Sequence, residues 1–151
     1  IAIGSSNRLE TLRNPWSASE RTEMISSWLD IEAEFDAIIV SIPDIDDPPN
    51  WVSHAEKYHG KSGVFFSSDS SSCNLYKDSG WKIISMPLVQ RENFEGWRVR
   101  ETARMLSTIY DKDAIDTVLG ASIPQSVINY LFSNDYLKRL AFLGEGGEPV
   151  G

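Results

Sequence analysis

The chain has 151 residues, 41% of them hydrophobic and 24% charged, which is enough for a buried core and excludes a disordered protein. Its formal net charge of −8 argues against a nucleic-acid partner, although it leaves room for a local basic pocket that binds one nucleotide. No apolar run is long enough to span a membrane. The single Cys73, which we expect to be a small buried hydrophobe, excludes an internal disulfide and a Cys-rich zinc site. We therefore expect a cytoplasmic protein without a membrane partner.

The first predicted element is a short apolar strand over residues 1–3, followed by Gly4, where the backbone can turn sharply. A helix is predicted to start after Ser17, because Glu20 lies three residues later, at the spacing of a reciprocal capping box. Free backbone N–H groups at such a helix start, with Arg13 just upstream, would suit an anion. An ordinary strand–loop–helix joint is the alternative interpretation of these residues.

Predicted strands and helices alternate along the rest of the chain. Strands are expected at 36–42, 63–66 and 81–85, and helices at 18–29, 50–58, 72–77, 98–110 and 124–143. The apolar run at 36–42 is too continuous for a one-sided sheet, which favours a central parallel strand. We therefore predict an α/β fold with a doubly wound, mostly parallel sheet and C-terminal helices, forming one domain over 1–143 before a Gly-rich tail at 144–151.

Three of the predicted strands end in polar, loop-forming residues, at 4–7, 43–46 and 67–69. Ligands of such sheets bind outside the carboxyl ends of the strands. We therefore expect the three segments to converge on one edge of the sheet and to form a ligand site there.

The first polar segment belongs to a longer stretch that resembles a known family. Gly-Ser-Ser at 4–6 and Thr-Leu-Arg-Asn-Pro-Trp-Ser-Ala-Ser-Glu-Arg at 11–21 resemble the GSA and NPF-[ST]-AGER motifs of archaeal-type nicotinamide mononucleotide (NMN) adenylyltransferases. Trp16 stands where that family usually has Phe, and Ser19 where it has Gly. The resemblance implies a Rossmann-like nucleotidyltransferase fold.

The second polar segment is followed by a Trp-containing helix. Pro-Asp-Ile-Asp at 43–46 and Trp-Val-Ser-His at 51–54 resemble the acidic loop and the Trp that follows it in this family. The resemblance implies that Trp51 packs against the nicotinamide ring and that the acidic loop helps to recognise the carboxamide. An aromatic face and a carboxylate suit a flat pyridinium cation. From the residues alone, Trp51 could instead pack the helix on the sheet, and the aspartates could form a solvated turn or, less favourably, a divalent-metal cluster.

Two further segments resemble the family's adenine-nucleotide site. Phe-Ser-Ser-Asp at 66–69 is similar to a YSGN motif, and residues 91–100 are similar to R-D-x-[YF]-S-G-T-x-[IV]-R. The last Arg of that motif, Arg100 here, grips the triphosphate in the family. Glu95 and Trp97 replace small hydroxyl residues, and we expect an acid at this position to repel phosphate.

The resemblance covers nearly the whole chain, including C-terminal helices at 122–128 and 136–140 that follow an insertion at about 111–119. It implies an enzyme that transfers AMP from ATP to NMN, giving NAD and pyrophosphate, with Mg²⁺ bridging the phosphates. It allows a homo-oligomer and assigns no metal-binding residue. The implied site has Arg100 as catalytic residue and the following substrate-binding residues: Arg13, Asp44, Ile45, Trp51, Ser67, Asp69, Gly96 and Val99.

One motif of the superfamily has no counterpart in this sequence. Adenylyltransferases carry H-x-G-H after the first strand, whereas this chain has only His54, expected at a helix surface or core edge, and His59, expected at a helix end. We therefore expect either a piece of a longer polypeptide or a relative without catalysis, and slow NAD formation by these 151 residues alone. The alternative functions are non-catalytic nucleotide binding and a cytidylyltransferase-like reaction on another substrate.

Overall fold

A computed structural model describes residues 1–8, 10–89 and 91–143, apart from the side chains of Arg91 and Asn93. Those two side chains of the nucleotide motif, and the predicted Gly-rich tail at 144–151, lie outside the described residues. The chain divides into two compact units. Unit 1 comprises Ile1–Asn7 and Val40–Val89, and unit 2 comprises Arg8–Ile39 and the described residues after Val89.

The strands are β1 (Ala2–Ile3), β2 (Val40–Ser41), β3 (Val64–Ser67) and β4 (Lys82–Ser85). The helices are α1 (Ala18–Ile31), α2 (Trp51–His59), α3 (Ser70–Asp78), α4 (Arg91–Phe94), α5 (Gly96–Met105), α6 (Lys112–Leu119), α7 (Gln125–Ser133) and α8 (Tyr136–Arg139). These strands lie in unit 1 with α2 and α3, and the other helices lie in unit 2. In the described part of the chain, no helix combines the length and the apolar composition needed to cross a membrane.

Unit 1 is built on two parallel strand pairs. β1 pairs with β2, with Ile3 opposite Ser41, and β3 pairs with β4 from Val64 to Ser67. Parallel partners need a long crossover, and α3 supplies the one between β3 and β4. The parallel pairing and the alternation of strands with helices confirm the predicted α/β class.

The core of unit 1 joins its helices to its strands. Phe65 of β3 stacks on Tyr76 of α3, with ring centroids 3.9 Å apart, so α3 is packed firmly on the second strand pair. Cys73 is buried, as predicted. The other buried apolar side chains of this unit are Ile3, Ile42, Val52 and Ala55.

Unit 2 is helical and has its own apolar core. Helix α1 begins as predicted, because Ser17 Oγ accepts a hydrogen bond from the Glu20 amide (3.2 Å) and Glu20 Oε2 accepts one from the Ser17 amide (2.8 Å). The buried cluster consists of Met24, Ala103, Ile115, Leu119, Ile128, Leu131, Leu137 and Leu140. Because these residues come from α1, α5, α6, α7 and the α8 region, each of those helices contributes an apolar face to one core.

A bidentate ion pair links the start of α1 to the end of α8. Arg139 Nη1 and Nη2 each donate to a different carboxylate oxygen of Glu20 at 2.7 Å, and Nη1 also lies 3.3 Å from the Pro15 carbonyl oxygen. The hydrogen bond from Arg139 is the main reason why the pKa of the Glu20 carboxyl group is lowered. The C-terminal residues therefore secure the loop that precedes α1.

Three elements differ from their predicted lengths by more than two residues at one end. The helix predicted at 98–110 corresponds to α5, which ends at Met105. The strand predicted at 36–42 is observed at Val40–Ser41, and Ile38 is 83% exposed. The helix predicted at 124–143 is interrupted between α7 and α8, where Asp135 adopts a left-handed conformation (φ 58°). The predicted insertion at 111–119 contains α6, which contributes Ile115 and Leu119 to the core.

Candidate functional site

The predicted site residues divide between the two units. Unit 1 contains one group, made up of Asp44, Ile45, Trp51, Ser67 and Asp69. Unit 2 contains the other, made up of Arg13, Gly96, Val99 and Arg100.

The loops that follow β1 and β2 are joined at Asp44. Ser5 Oγ donates to Asp44 Oδ2 at 2.8 Å. The side-chain amide of Asn7 donates to the Asp44 carbonyl oxygen at 3.0 Å and accepts from the Asp44 amide at 2.9 Å. These bonds bring together two of the three polar segments expected at the carboxyl ends of the strands. Asp44 and Ile45 are half-buried there.

Helix α2 starts beside this loop, and its first residue is Trp51. The His54 ring donates from Nε2 to the Pro43 carbonyl oxygen at 2.9 Å, since a carbonyl oxygen can only accept. The centroid of the Trp51 ring lies 5.8 Å from that of His54. Trp51 is half-buried, so its indole is in neither the core nor the open solvent. Through His54, the aromatic ring and the acidic loop are neighbours.

Ser67 and Asp69 lie at the carboxyl end of β3, where both make local hydrogen bonds. Asp69 caps α3 by accepting from the Ser72 amide at 2.6 Å, and the Asp69 amide donates to Ser67 Oγ at 3.0 Å. Hydrogen bonds from Ser72 lower the pKa of the Asp69 carboxyl group. This segment belongs to the second strand pair, and its contact with a ligand stays a prediction.

Arg13 and Arg100 lie close enough for their charges to interact. Arg100 is half-buried in α5, and burial, followed by the charge of Arg13, lowers the pKa of its guanidinium. Among the residues that the structure describes, neither guanidinium forms an ion pair with a carboxylate. An anionic ligand would relieve the repulsion between these two like charges, although the exposure of Arg13 allows water to screen part of it.

The guanidinium of Arg100 reaches back to the first residue of α5. A Cβ atom placed on Gly96 would come within 3.1 Å of Arg100 Nη1. Gly96 thus leaves room for the guanidinium beside the N-terminal end of the helix, where the backbone dipoles also favour negative charge. Val99, one residue before Arg100, is half-buried.

The acid expected to repel phosphate has a cationic partner. Arg98 Nε donates to Glu95 Oε2 at 2.8 Å, and the Arg98 guanidinium lies 4.9 Å from the centroid of the Trp97 ring. The negative charge of Glu95 is therefore offset locally, although the exposure of Arg98 allows water to screen the pair.

Ser5 and Asn7 lie in the polar segment 4–7 that was expected at the ligand site, but no individual role was predicted for them or for His54. The position of Asn7 immediately beyond a strand end was the sequence feature that could have indicated its role. His54 was expected at a helix surface or core edge, and its spacing of three residues from Trp51 would have placed both side chains on one face of α2. In the described residues, no group of three or more His, Cys, Asp or Glu side chains is arranged to hold a metal ion.

Comparison with known proteins gives a consistent result. No protein-family model matches the chain. A nicotinamide-nucleotide adenylyltransferase from Thermoplasma acidophilum is 32% identical over 150 residues, which are 99% of this chain and 78% of the relative. Proteins of the same name from Picrophilus torridus (28% identical; 98% of this chain, 82% of the relative) and Pyrococcus horikoshii (29%; 93% and 70%) also match.

Proposed function

The chain belongs to the nicotinamide-nucleotide adenylyltransferase family, and on that basis we propose that it transfers AMP from ATP to NMN, giving NAD and pyrophosphate. In this reaction the phosphate oxygen of NMN forms a bond to the α-phosphorus of ATP, and the bond from that phosphorus to the oxygen of the leaving pyrophosphate breaks. The protein has little covalent work to do in such a transfer. It positions the two phosphates and stabilises the charge that develops between them.

The observation that carries the proposal is the pair of neighbouring cations, Arg13 and Arg100, without a carboxylate partner among the described residues. We assign the phosphates to these two side chains, with Arg100 as the catalytic residue. Gly96 supports the assignment because it gives the Arg100 guanidinium space at the start of α5. Val99, adjacent to Arg100, is proposed to contact the same nucleotide.

The nicotinamide end of NMN is assigned to the group in unit 1. Trp51 would provide an aromatic face for the pyridinium cation, and the Asp44–Ile45 loop would contact the carboxamide. The half-burial of these residues supports this assignment, as does His54, which contacts both Trp51 and the carbonyl oxygen of Pro43, the residue before Asp44. Ser67 and Asp69 are proposed to contact the adenosine by resemblance alone.

Mg²⁺ is the cofactor that the resemblance implies, and when bound with ATP it would supply charge stabilisation for the phosphates. The described acidic side chains do not fit a metal site of the protein's own, since no three of them are grouped to hold an ion. We propose that Mg²⁺ would be held mainly by the nucleotide.

The test replaces Arg100 and a matched arginine of the same helix. We expect Arg100→Ala to weaken ATP binding by roughly 10- to 100-fold, because a charge-assisted hydrogen bond contributes about 1.5–3 kcal/mol. Arg104→Ala is the control, because Arg104 lies in the last turn of the same helix, at the end away from Gly96, and its replacement leaves the pairing of Glu95 with Arg98 intact. Calorimetric titration of MgATP into each folded variant measures the effect. Equal loss in both variants, or none in either, would contradict the assignment.

A further inference from the structure

We infer that His54 and Asn7 are positioning residues that hold the Pro43–Asp44 peptide from two sides and thereby set the affinity for the nicotinamide group. This inference rests on the proposed function, because it concerns the residues assigned to nicotinamide. Neither side chain needs to touch the ligand. Each acts through Asp44 and Trp51.

Asn7 continues the pairing of β1 and β2 beyond the ends of both strands. The backbone ladder runs from the Ile42 amide to the Ile3 carbonyl oxygen (2.8 Å) and from the Ser6 amide to the Ile42 carbonyl oxygen (3.2 Å). The side chain of Asn7 then makes the next two bonds, to the carbonyl oxygen and the amide of Asp44. A carboxamide has the donor and acceptor of a peptide group, so it can substitute for a strand partner where the backbone has already turned.

The turn that makes this substitution necessary lies at Ser5. Its backbone is in the left-handed region (φ 53°), which is uncommon for a residue other than glycine. The Ser5 hydroxyl donates to the carboxylate of Asp44, whereas Asn7 binds the backbone of the same residue. One strand-end segment therefore fixes both the backbone and the side chain of Asp44.

His54 holds the same peptide from the side of α2. Its Nε2 donates to the carbonyl oxygen of Pro43, the residue immediately before Asp44. Its ring lies between those of Trp51 and Tyr58, with centroid separations of 5.8 Å and 5.2 Å. A single imidazole thus connects the aromatic ring and the acidic loop that are proposed to contact the nicotinamide.

The second histidine of α2 provides a matched control. His59 also binds a carbonyl oxygen, that of Gly60, at 2.8 Å from Nδ1, and its Nε2 lies 2.8 Å from the Tyr76 hydroxyl. Its ring neighbours are Tyr76 and Trp81. Replacing His59 therefore removes an imidazole and its hydrogen bonds from the same helix at the end away from Trp51.

The experiment measures the affinities of NMN and MgATP by calorimetry for the 151-residue chain and for four variants, with the melting temperature of each. We expect His54→Leu and Asn7→Asp each to weaken NMN binding by about tenfold, because each variant loses a hydrogen bond that positions the loop. The MgATP affinity of both variants should stay within about twofold of that of the unsubstituted chain. Asn7→Asp keeps an acceptor but loses the donor to the Asp44 carbonyl oxygen. His54→Gln, which can still donate from its terminal amide, should recover most of the NMN affinity. His59→Leu should change neither affinity by more than about twofold.

Three results would overturn the inference. The first is unchanged NMN affinity in both His54→Leu and Asn7→Asp, and the second is parallel weakening of NMN and MgATP, which indicates general damage to the fold. The third is His54→Gln behaving like His54→Leu. If His54→Leu does not fold, Asn7→Asp and His54→Gln decide the question. Failure of the unsubstituted chain to bind NMN would instead refute the proposed function, and this inference with it.

Discussion

Trp51 lies at the first residue of α2, half-buried and beside the imidazole that binds the acidic loop. In this position the indole has His54 as an aromatic neighbour, and it keeps a partly exposed surface that a flat ligand could cover. Its replacement is therefore expected to separate the two substrates.

We expect Trp51→Ala to weaken NMN binding and to leave MgATP binding nearly unchanged. Loss of an aromatic–cation contact in a partly desolvated site costs about 1–2 kcal/mol, which corresponds to roughly 5- to 30-fold in Kd. Calorimetric titration with each nucleotide is the measurement. Trp51→Phe keeps an aromatic face and should recover part of the affinity, and an equal loss for both nucleotides would indicate damage to the fold.

Glu20 makes a pH-dependent contribution to stability through Arg139. Because its pKa is lowered in the folded state, the carboxylate stabilises the fold fully above its unfolded pKa of about 4.3, and this stabilisation disappears as the pH falls through the folded value. We expect Glu20→Gln to lower the free energy of unfolding by about 1–3 kcal/mol at pH 7. The difference from the unsubstituted chain should shrink in acid.

Urea unfolding at pH 7 and at about pH 3 measures this difference. Gln keeps an oxygen that can accept from the Ser17 amide, so the variant tests the ion pair with Arg139 more than the helix cap. Glu34→Gln, at an exposed position, serves as the control. A destabilisation by Glu20→Gln that is the same at both pH values would show that the charge is not responsible.

At the scale of elements, the stability of unit 2 depends on helices that share one core. Ile128 of α7 is fully buried within it. We expect Ile128→Ala to lower the free energy of unfolding by about 2–5 kcal/mol, because it leaves a cavity among the helices. Ile31→Ala, at a position 72% exposed at the end of α1, should cost much less. Urea unfolding of the two variants compares them, and similar losses would contradict the described core.

Local signals explain which elements the sequence predicts well. Helix α1 is predicted at its start because the capping box of Ser17 and Glu20 lies within four consecutive residues. The strand predicted at 36–42 is longer than the observed Val40–Ser41, because an apolar run does not show which of its residues pair with another strand. The interruption between α7 and α8 depends on a left-handed residue, Asp135, that the apolar pattern does not reveal.

At the scale of the whole molecule, each of the two groups of candidate site residues depends on residues that are distant in sequence. Topology alone predicts that the loops after β1 and β2 meet, since parallel strands end at the same edge. The proximity of Arg13 and Arg100 could be expected only from the family resemblance, because nothing local to either residue indicates it. The bonds of Asn7 and His54 to the Pro43–Asp44 peptide were not predicted, because they depend on side-chain geometry that periodicity does not encode.

The proximity of Arg13 and Arg100 also has a consequence for ionic strength. Two like charges raise the free energy of the unliganded protein, and dissolved salt reduces this repulsion, since the screening length is about 8 Å at 0.15 M. A polyphosphate between them replaces repulsion with attraction, and the same salt weakens that attraction. Added salt therefore favours the unliganded protein in two ways, because it weakens both the repulsion between the arginines and their attraction for the phosphates. Nucleotide affinity should fall with salt more steeply than it would at a site with a single arginine.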